Sequence, residues 1–214
     1  MYALILEVCL LIKIKIDNRI VRNKNISNGA FVLYAELVYL KFVNKNSESV
    51  LIHHKLLMKY LNWHDKRKLK KYFKELYNHK LIKEEIKTFP KYKQILVTLI
   101  NYNSNNFTWL PDNLIKNIKL FGDIGFRLIY YYKSFINDNE ISIQYAFPSL
   151  NTIAKDLGIT ENTVVKYNYI LEKFKLIKID KHELVGKFKN NNTEKYFTKY
   201  NNYYYINIEK ILGP

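Results

Sequence analysis

The sequence is poor in the residues that build disulfides, phosphate-binding loops and metal sites. One cysteine, Cys9, occurs in 214 residues, which excludes an internal disulfide and a cysteine-based zinc site. The six glycines form no glycine-rich loop of the kind that cradles phosphates in ATPases or dinucleotide-binding enzymes. The 19 acidic residues do not cluster as a metal site. We therefore predict no cofactor and no metal.

Long apolar runs are also missing. The opening stretch, residues 1–17, holds an apolar run of about a dozen residues that includes Glu7, whereas a membrane-spanning helix needs about 20. The stretch also lacks the basic flank of a signal peptide. The alternation of apolar and basic residues over 11–16 predicts a strand instead. We expect a soluble cytoplasmic protein with no membrane partner.

Candidate catalytic side chains are scattered along the chain. His53 and His54 are adjacent, and on a strand they would point to opposite faces. Tyrosines 130–132 and 203–205 are expected to fill the core and its rim, with stacking on unwound bases as the alternative. No convincing tyrosine-recombinase set is formed by the four arginines, Arg19, Arg22, Arg67 and Arg127. The prediction is that the protein is not an enzyme; a nickase that uses a tyrosine is a distant alternative.

Basic residues far outnumber acidic ones. The chain has 35 Lys and Arg against 19 Asp and Glu, a formal charge of +16, which indicates a polyanionic partner. An AT-rich coding genome would also enrich lysine, so the inference rests on clustering. The strongest cluster lies in a predicted helix over 65–80 that Asp65 caps, and it contains Lys66, Arg67, Lys68, Lys70, Lys71 and Lys74.

The basic helix has an apolar face of its own, formed by Leu69, Tyr72, Phe73 and Leu76. The cations must then face outward, where Lys71–Glu75 is the only favourable pair four residues apart. We predict contact with DNA phosphates; a solvated face is the alternative.

A second helix pair is predicted over 149–175. Leu150, Ile153, Ala154 and Leu157 share one helical face, and Gly158 ends that helix. Thr160 is the predicted N-cap of the next helix, which is followed by a strand. In such a helix-turn-helix the second helix enters the major groove of DNA.

The second helix of this pair carries a short hydrogen-bonding surface near its N-terminus. Side chains of this type read base edges. The candidates are Thr160, Glu161, Asn162, Thr163, Lys166 and Tyr167, and Tyr169 belongs to the same surface. The alternative is an αα-hairpin that only packs.

The two halves of the sequence match when one is shifted by about 95 residues. Asp65 then falls on Thr160, so that cap meets cap, and the motif KLIK at 80–83 falls on KLIK at 175–178. The predicted fold is α+β, with two tandem winged helix-turn-helix domains over 1–100 and 107–214, joined near 101–106. The predicted wings are hairpins over 81–100, with strands 82–87 and 93–100, and over 176–208, with a polar tip at 186–195. Basic candidates in the wings are Lys91, Lys93, Lys187, Lys189 and Lys195.

The segment PSLNTIAKDLGITENTVVKY and the LEKFKLI after it resemble the winged-helix domains of bacterial DNA-binding proteins, notably plasmid and phage replication initiators. The resemblance implies sequence-specific binding of double-stranded DNA and initiation of replication of a plasmid or mobile element at origin repeats. In such initiators a monomer places two recognition helices in successive major grooves, about 34 Å apart.

Two other functions stay open. A phage or plasmid transcriptional regulator would use the same chemistry at an operator. A protein-interaction module would use its winged helices to bind protein partners. Replication proteins are further candidate partners, and both a monomer and a homodimer are compatible with the sequence.

Overall fold

The chain forms a mixed α+β structure. A computed structural model describes residues 12–45, 47–100, 105–138, 140, 142–190 and 193–213, with backbone alone for 184–190 and 193–199. The first half contains β1 (Lys13–Asp17), α1 (Asn18–Val21), α2 (Asn28–Val43), β2 (Ser49–Ile52), α3 (His54–Tyr60), α4 (Lys66–Asn78) and β3 (Ile95–Thr98). The second half contains β4 (Phe107–Pro111), α5 (Asn113–Lys116), a 3-10 helix (Ile118–Leu120), α6 (Gly122–Lys133), α7 (Leu150–Leu157), α8 (Glu161–Lys173), β5 (Ile177–Asn190), β6 (Thr193–Ile206) and α9 (Ile208–Leu212).

The described strands form three antiparallel two-stranded sheets. Strand β2 pairs with β3, and β5 pairs with β6. The third sheet joins the two halves, because β1 pairs with β4 from Lys13 opposite Pro111 to Asp17 opposite Phe107. The predicted strand over 11–16 is thus confirmed as β1, while residue 11 lies outside the described part.

Helices α2 and α6 form the centre of one core that both halves share. Phe31 of α2 and Phe126 of α6 are fully buried, with ring centroids 6.0 Å apart. Tyr130 of α6 is also fully buried, and its hydroxyl donates to the carbonyl of Ile14 in β1 at 3.1 Å. The expectation that tyrosines 130–132 fill the core is confirmed, since all three are 0% exposed.

A buried arginine of α6 forms hydrogen bonds to the backbone of the first half. The guanidinium of Arg127 donates to the backbone carbonyls of Val21, Asn23 and Ile26. The segment between α1 and α2 therefore lies against α6 with its carbonyl groups satisfied by a side chain.

The first predicted wing is only partly regular. The predicted strand over 82–87 is reduced to one bridge, Ile82 opposite Leu99. The Glu84 carboxylate takes the next hydrogen bond itself, accepting from the Thr98 amide at 2.6 Å. Ile86 and Phe89 are buried, so the loop folds inward where the sequence predicts a projecting tip.

The second predicted wing is more regular than expected. Its predicted polar tip, 186–195, is wrong, because the ladder between β5 and β6 continues to Asn190 opposite Thr193. No proline interrupts either strand, and the Tyr- and Thr-containing β6 suits extended backbone. The expected final strand ends at Ile206, and Asn207 caps helix α9.

Three further features bear on the sequence predictions. His53 and His54 do not lie on a strand, because β2 ends at Ile52; their rings stack with centroids 5.5 Å apart. Among the described helices, none combines the length and the apolarity that a bilayer crossing requires. The predicted joint at 101–106 lies largely outside the described residues, although Asn106 accepts a hydrogen bond from the Asn18 amide at 3.1 Å.

Candidate nucleic-acid interface

Helix α4 presents a continuous basic surface. Asp65 is its N-cap and accepts from the Arg67 amide at 2.8 Å, as predicted. Leu69, Phe73 and Leu76 are fully buried. All six predicted cations are exposed: Lys66, Arg67, Lys68, Lys70, Lys71 and Lys74. The amphipathic pattern therefore fixes which face of α4 meets the core and which meets solvent.

The expected Lys71–Glu75 pair is absent from the described part of the chain. The Glu75 carboxylate turns inward and accepts from the Ser27 amide and, at 2.9 Å, from the Ser27 hydroxyl. Ser27 is the N-cap of α2, where a carboxylate also meets the positive end of the helix dipole. The acid that could have neutralised the outer face of α4 is thus used to hold α4 against α2.

Little else neutralises the α4 surface. Within the described residues its single ion pair joins Arg67 to Asp65 at 3.3 Å, with the arginine side chain 94% exposed. An ion pair this exposed to solvent contributes little to the stability of the fold. The remaining cations are available to a polyanion.

The loop after α4 extends the basic surface. Phe89 packs on Phe73 and His54, with ring centroids 5.9 and 5.3 Å away. Lys66 at the start of α4 approaches the Phe89 carbonyl at 3.5 Å. Lys91 and Lys93, two predicted contact residues, follow in the same loop and are exposed.

Helix α8 begins as the sequence predicts. Gly158 adopts a left-handed φ of +64° after α7, and the Thr160 hydroxyl accepts from the Thr163 amide at 3.2 Å. A Cβ at position 158 would lie 3.1 Å from the Lys24 carbonyl oxygen. The glycine is therefore needed both for the turn and for close packing against the first half.

The exposed face of α8 carries polar and apolar groups together. Thr160, Glu161, Asn162 and Lys166 are exposed, and Glu161 accepts from the Asn151 amide group at 3.0 Å. Two other predicted residues lie closer to the core: Thr163 and Tyr167 are half-buried. Tyr167 packs over the start of α6, because a Cβ on Gly122 would come 3.9 Å from its ring.

The surface predicted for α8 left out one exposed side chain, Val165. Val165 is 51% exposed, on the same outer face as Asn162 and Lys166, and Tyr169, which the sequence placed on this surface, is 69% exposed. The helical spacing of Val165 from Asn162 could have placed it there as well.

The remaining candidates lie on the second hairpin. Lys187 and Lys189 belong to β5 and Lys195 to β6, where backbone pairs join Lys187 to Tyr196 and Phe188 to Lys195. Their side chains lie outside the described residues. The described part of the chain also contains no group of three or more His, Cys, Asp or Glu residues placed to hold a metal.

Comparisons with known proteins add no assignment. The chain matches no protein-family model, and no curated protein shows significant similarity to it.

Proposed function

We propose that the protein binds double-stranded DNA sequence-specifically through two winged-helix units. The observation that carries this proposal is the outer face of α4. Six cations are exposed there, and Glu75, the acid best placed to pair with them, is turned toward Ser27. A rigid row of uncompensated cations on a helix matches the charge of a DNA backbone.

The order of elements supports two winged-helix units. Each half runs in the order helix, strand segment, helix, helix and then two antiparallel segments, whose backbones in the described part of the first half pair only at the bridge between Ile82 and Leu99. The segment before each helix pair joins the last strand of its half: β2 pairs with β3, and Ala146 bridges to Tyr204 of β6. In this arrangement the recognition helices are α4 and α8.

Matching local geometry supports an internal repeat of 95 residues. Lys80 and Lys175 both have a positive φ, 55° and 58°, immediately after a recognition helix. The next amide in each half, Leu81 or Leu176, donates to the carbonyl five residues earlier. The backbone therefore makes the same turn at the end of both recognition helices.

The pairing of β1 with β4 supports a pseudo-two-fold relation between the units. Lys13 pairs with Pro111, and Ile16 pairs with Thr108. A shift of 95 residues exchanges these two pairs, as a two-fold axis between the strands requires. Phe31 and Phe126, also 95 residues apart, touch each other in the core.

The two recognition helices differ in chemistry. Helix α4 exposes charge, which gives affinity and register through phosphates. Helix α8 exposes an amide at Asn162, a methyl-bearing side chain at Val165 and a cation at Lys166, which suit hydrogen-bond and methyl contacts with base edges. We assign base discrimination mainly to α8.

The biological setting follows from the resemblance to replication initiators. We propose binding at origin repeats of a plasmid or mobile element; an operator-binding regulator would have the same interface. The position of the selected site would separate the two: repeats at an origin, or one site beside a promoter.

Selection of bound duplexes from a random library tests the proposal, followed by affinity measurements over a range of salt. We expect a motif of about two helical turns. If each α4 cation neutralises one phosphate, α4 alone contributes a slope of about −5 in log K against log salt. Failure to select any motif, with binding lost by about 0.15 M salt, would favour a protein-interaction module.

A further inference from the structure

A cleft of about 400 Å³ lies where α2, α3 and α5 meet. Its volume falls in the range of small-molecule sites. Besides Leu40 and Leu61, it is lined by Glu36, Tyr39, Val43, Tyr60, Ile115 and Lys116. None of the residues that line the cleft belongs to α4 or α8, and the binding of DNA proposed above does not use it.

Glu36 is the chemically distinctive residue of the cleft. Its side chain comes from the middle of α2 and is only 6% exposed. Over the described residues, no protein donor or cation pairs with its carboxylate. Buried carboxylates are normally paired or hydrogen-bonded, because an unpaired buried charge is costly. Burial raises the pKa of Glu36 from 4.5 to about 7.

The basic residue that lines the cleft, Lys116, is paired with another acid. Its ammonium group pairs with Asp112 at 2.6 Å. Glu36 therefore places a carboxylate that is unpaired within the described residues at the wall of a cleft whose other lining residues, apart from Lys116, are aliphatic or aromatic.

Two aromatic rings complete the cleft. Tyr39 is half-buried, and Tyr60 is 73% exposed at the edge. The faces of tyrosine rings attract cations, and their bodies pack on apolar groups. Val43 and Ile115 supply further apolar surface.

We propose that this cleft binds a small organic cation, with its charged group at the Glu36 carboxylate and its apolar body against Tyr39, Tyr60 and Ile115. The formal charge of +16 does not oppose this, since exposed charges are screened over about 8 Å at 0.15 M ionic strength. The bound cation would contact α2 and α3 of the first half and α5 of the second.

Isothermal titration calorimetry with tryptamine tests the site on the full chain. Tryptamine carries an aromatic body and an ammonium group. Two analogues of similar shape serve as probes: neutral 3-ethylindole and anionic indole-3-propionate. At pH 8 we expect tryptamine to bind at least about tenfold more tightly than either analogue, because only it forms a charge-assisted hydrogen bond.

Glu36→Gln keeps the shape of the side chain and removes its charge. It should weaken tryptamine binding about tenfold, and binding to the unmodified protein should weaken similarly between pH 8 and pH 6 as the carboxylate is protonated. The matched control is Glu209→Gln, an exposed acid on α9, which should change nothing. Tyr60→Ala, at an exposed position, provides a second test that does not depend on the core.

The proposal is overturned if tryptamine shows no binding up to about 10 mM, if the neutral analogue binds equally well, or if Glu36→Gln leaves affinity unchanged. None of these outcomes bears on DNA binding. A failure here would therefore be distinguishable from a failure of the proposed function.

Discussion

Glu36 should make the stability of the fold depend on pH. Since burial raises its folded pKa to about 7, the folded state keeps a proton that the unfolded chain releases above about pH 4.5. Stability is therefore lost as pH rises between these two values. Glu36→Gln removes this loss, so we expect the variant to be about 3 kcal/mol more stable than the unmodified protein at pH 8 and about 1 kcal/mol more stable at pH 5.

Urea unfolding of both proteins at the two pH values measures this difference. Glu209→Gln, on the exposed side of α9, should shift stability by less than about 0.5 kcal/mol at either pH. An equal gain for Glu36→Gln at pH 5 and pH 8 would show that Glu36 does not titrate in this range.

Roles that depend on neighbouring residues could be predicted from the sequence, and roles that depend on contacts between residues far apart in the sequence could not. Asp65 and Thr160 act as N-caps and Gly158 ends α7, as expected. Each of these roles depends on neighbours a few residues away. Glu75 was assigned to Lys71 because the two are four residues apart, but its partner is Ser27, 48 residues away. No local pattern reports such a contact.

The charged face of α4 gives a direct prediction for DNA affinity. Lys70→Glu combined with Lys74→Glu should weaken binding to the selected site about 100-fold at 0.15 M salt, because two phosphate contacts become repulsive. The slope of log K against log salt should become shallower by about 2. Fluorescence anisotropy with a labelled duplex measures both quantities.

The matched control for this double variant is Lys119→Glu with Lys210→Glu, two exposed lysines away from α4. It makes the same change in net charge, so it should lower affinity far less if α4 makes the contact. Equal losses in the two double variants would mean that only the net charge of the protein matters.

Asn162 of α8 should affect specificity without affecting general affinity. Asn162→Ala removes a group able to bond a base edge, so binding to the selected site should weaken about 10- to 100-fold while binding to random DNA stays the same. The salt slope should not change, because the side chain is neutral. A uniform loss on all sequences would place Asn162 outside base recognition.

The elements differ in how well the sequence predicted them. The spacing of their apolar residues predicted helices α4 and α8. The segment 82–100 was predicted as a hairpin with Phe89 in its projecting tip, but Phe89 instead packs on Phe73 and His54. The strands of the second hairpin were predicted to be shorter than they are, because the sequence over 186–195 is polar. Strand pairing, however, needs only free backbone N–H and C=O groups.

The two halves of the chain form one body. Buried residues of both halves belong to a single core, and β1–β4 pairing and Arg127 cross between them. The sequence repeat predicts two domains in tandem, but a repeat carries no information about how its copies pack. The pairing between β1 and β4 is a contact between the halves that the sequence did not predict.

The proposed pseudo-two-fold relation between the two winged-helix units predicts the form of the DNA site. The two half-sites should be inverted relative to each other, since protein symmetry is mirrored in the operator. Insertion of 5 or 10 base pairs between the half-sites should reduce affinity about 100-fold at both lengths, because the two winged-helix units share one core and cannot move apart. Competition binding with such duplexes measures this loss, and recovery at 10 base pairs would indicate a flexible joint instead.

The sheet between β1 and β4 also determines when the protein can fold during synthesis. Ile14 and Ile16 are only 1% exposed. Ile14 pairs with Leu110 and accepts a hydrogen bond from the Tyr130 hydroxyl, and the ribosome adds both partners roughly 100 residues later. At 5–20 residues per second, the first half waits about 5–20 s with its opening strand unpaired. During that interval the unpaired apolar strand can bind a chaperone or aggregate with other nascent chains. Slower translation of residues 17–110 should therefore lower the yield of soluble protein.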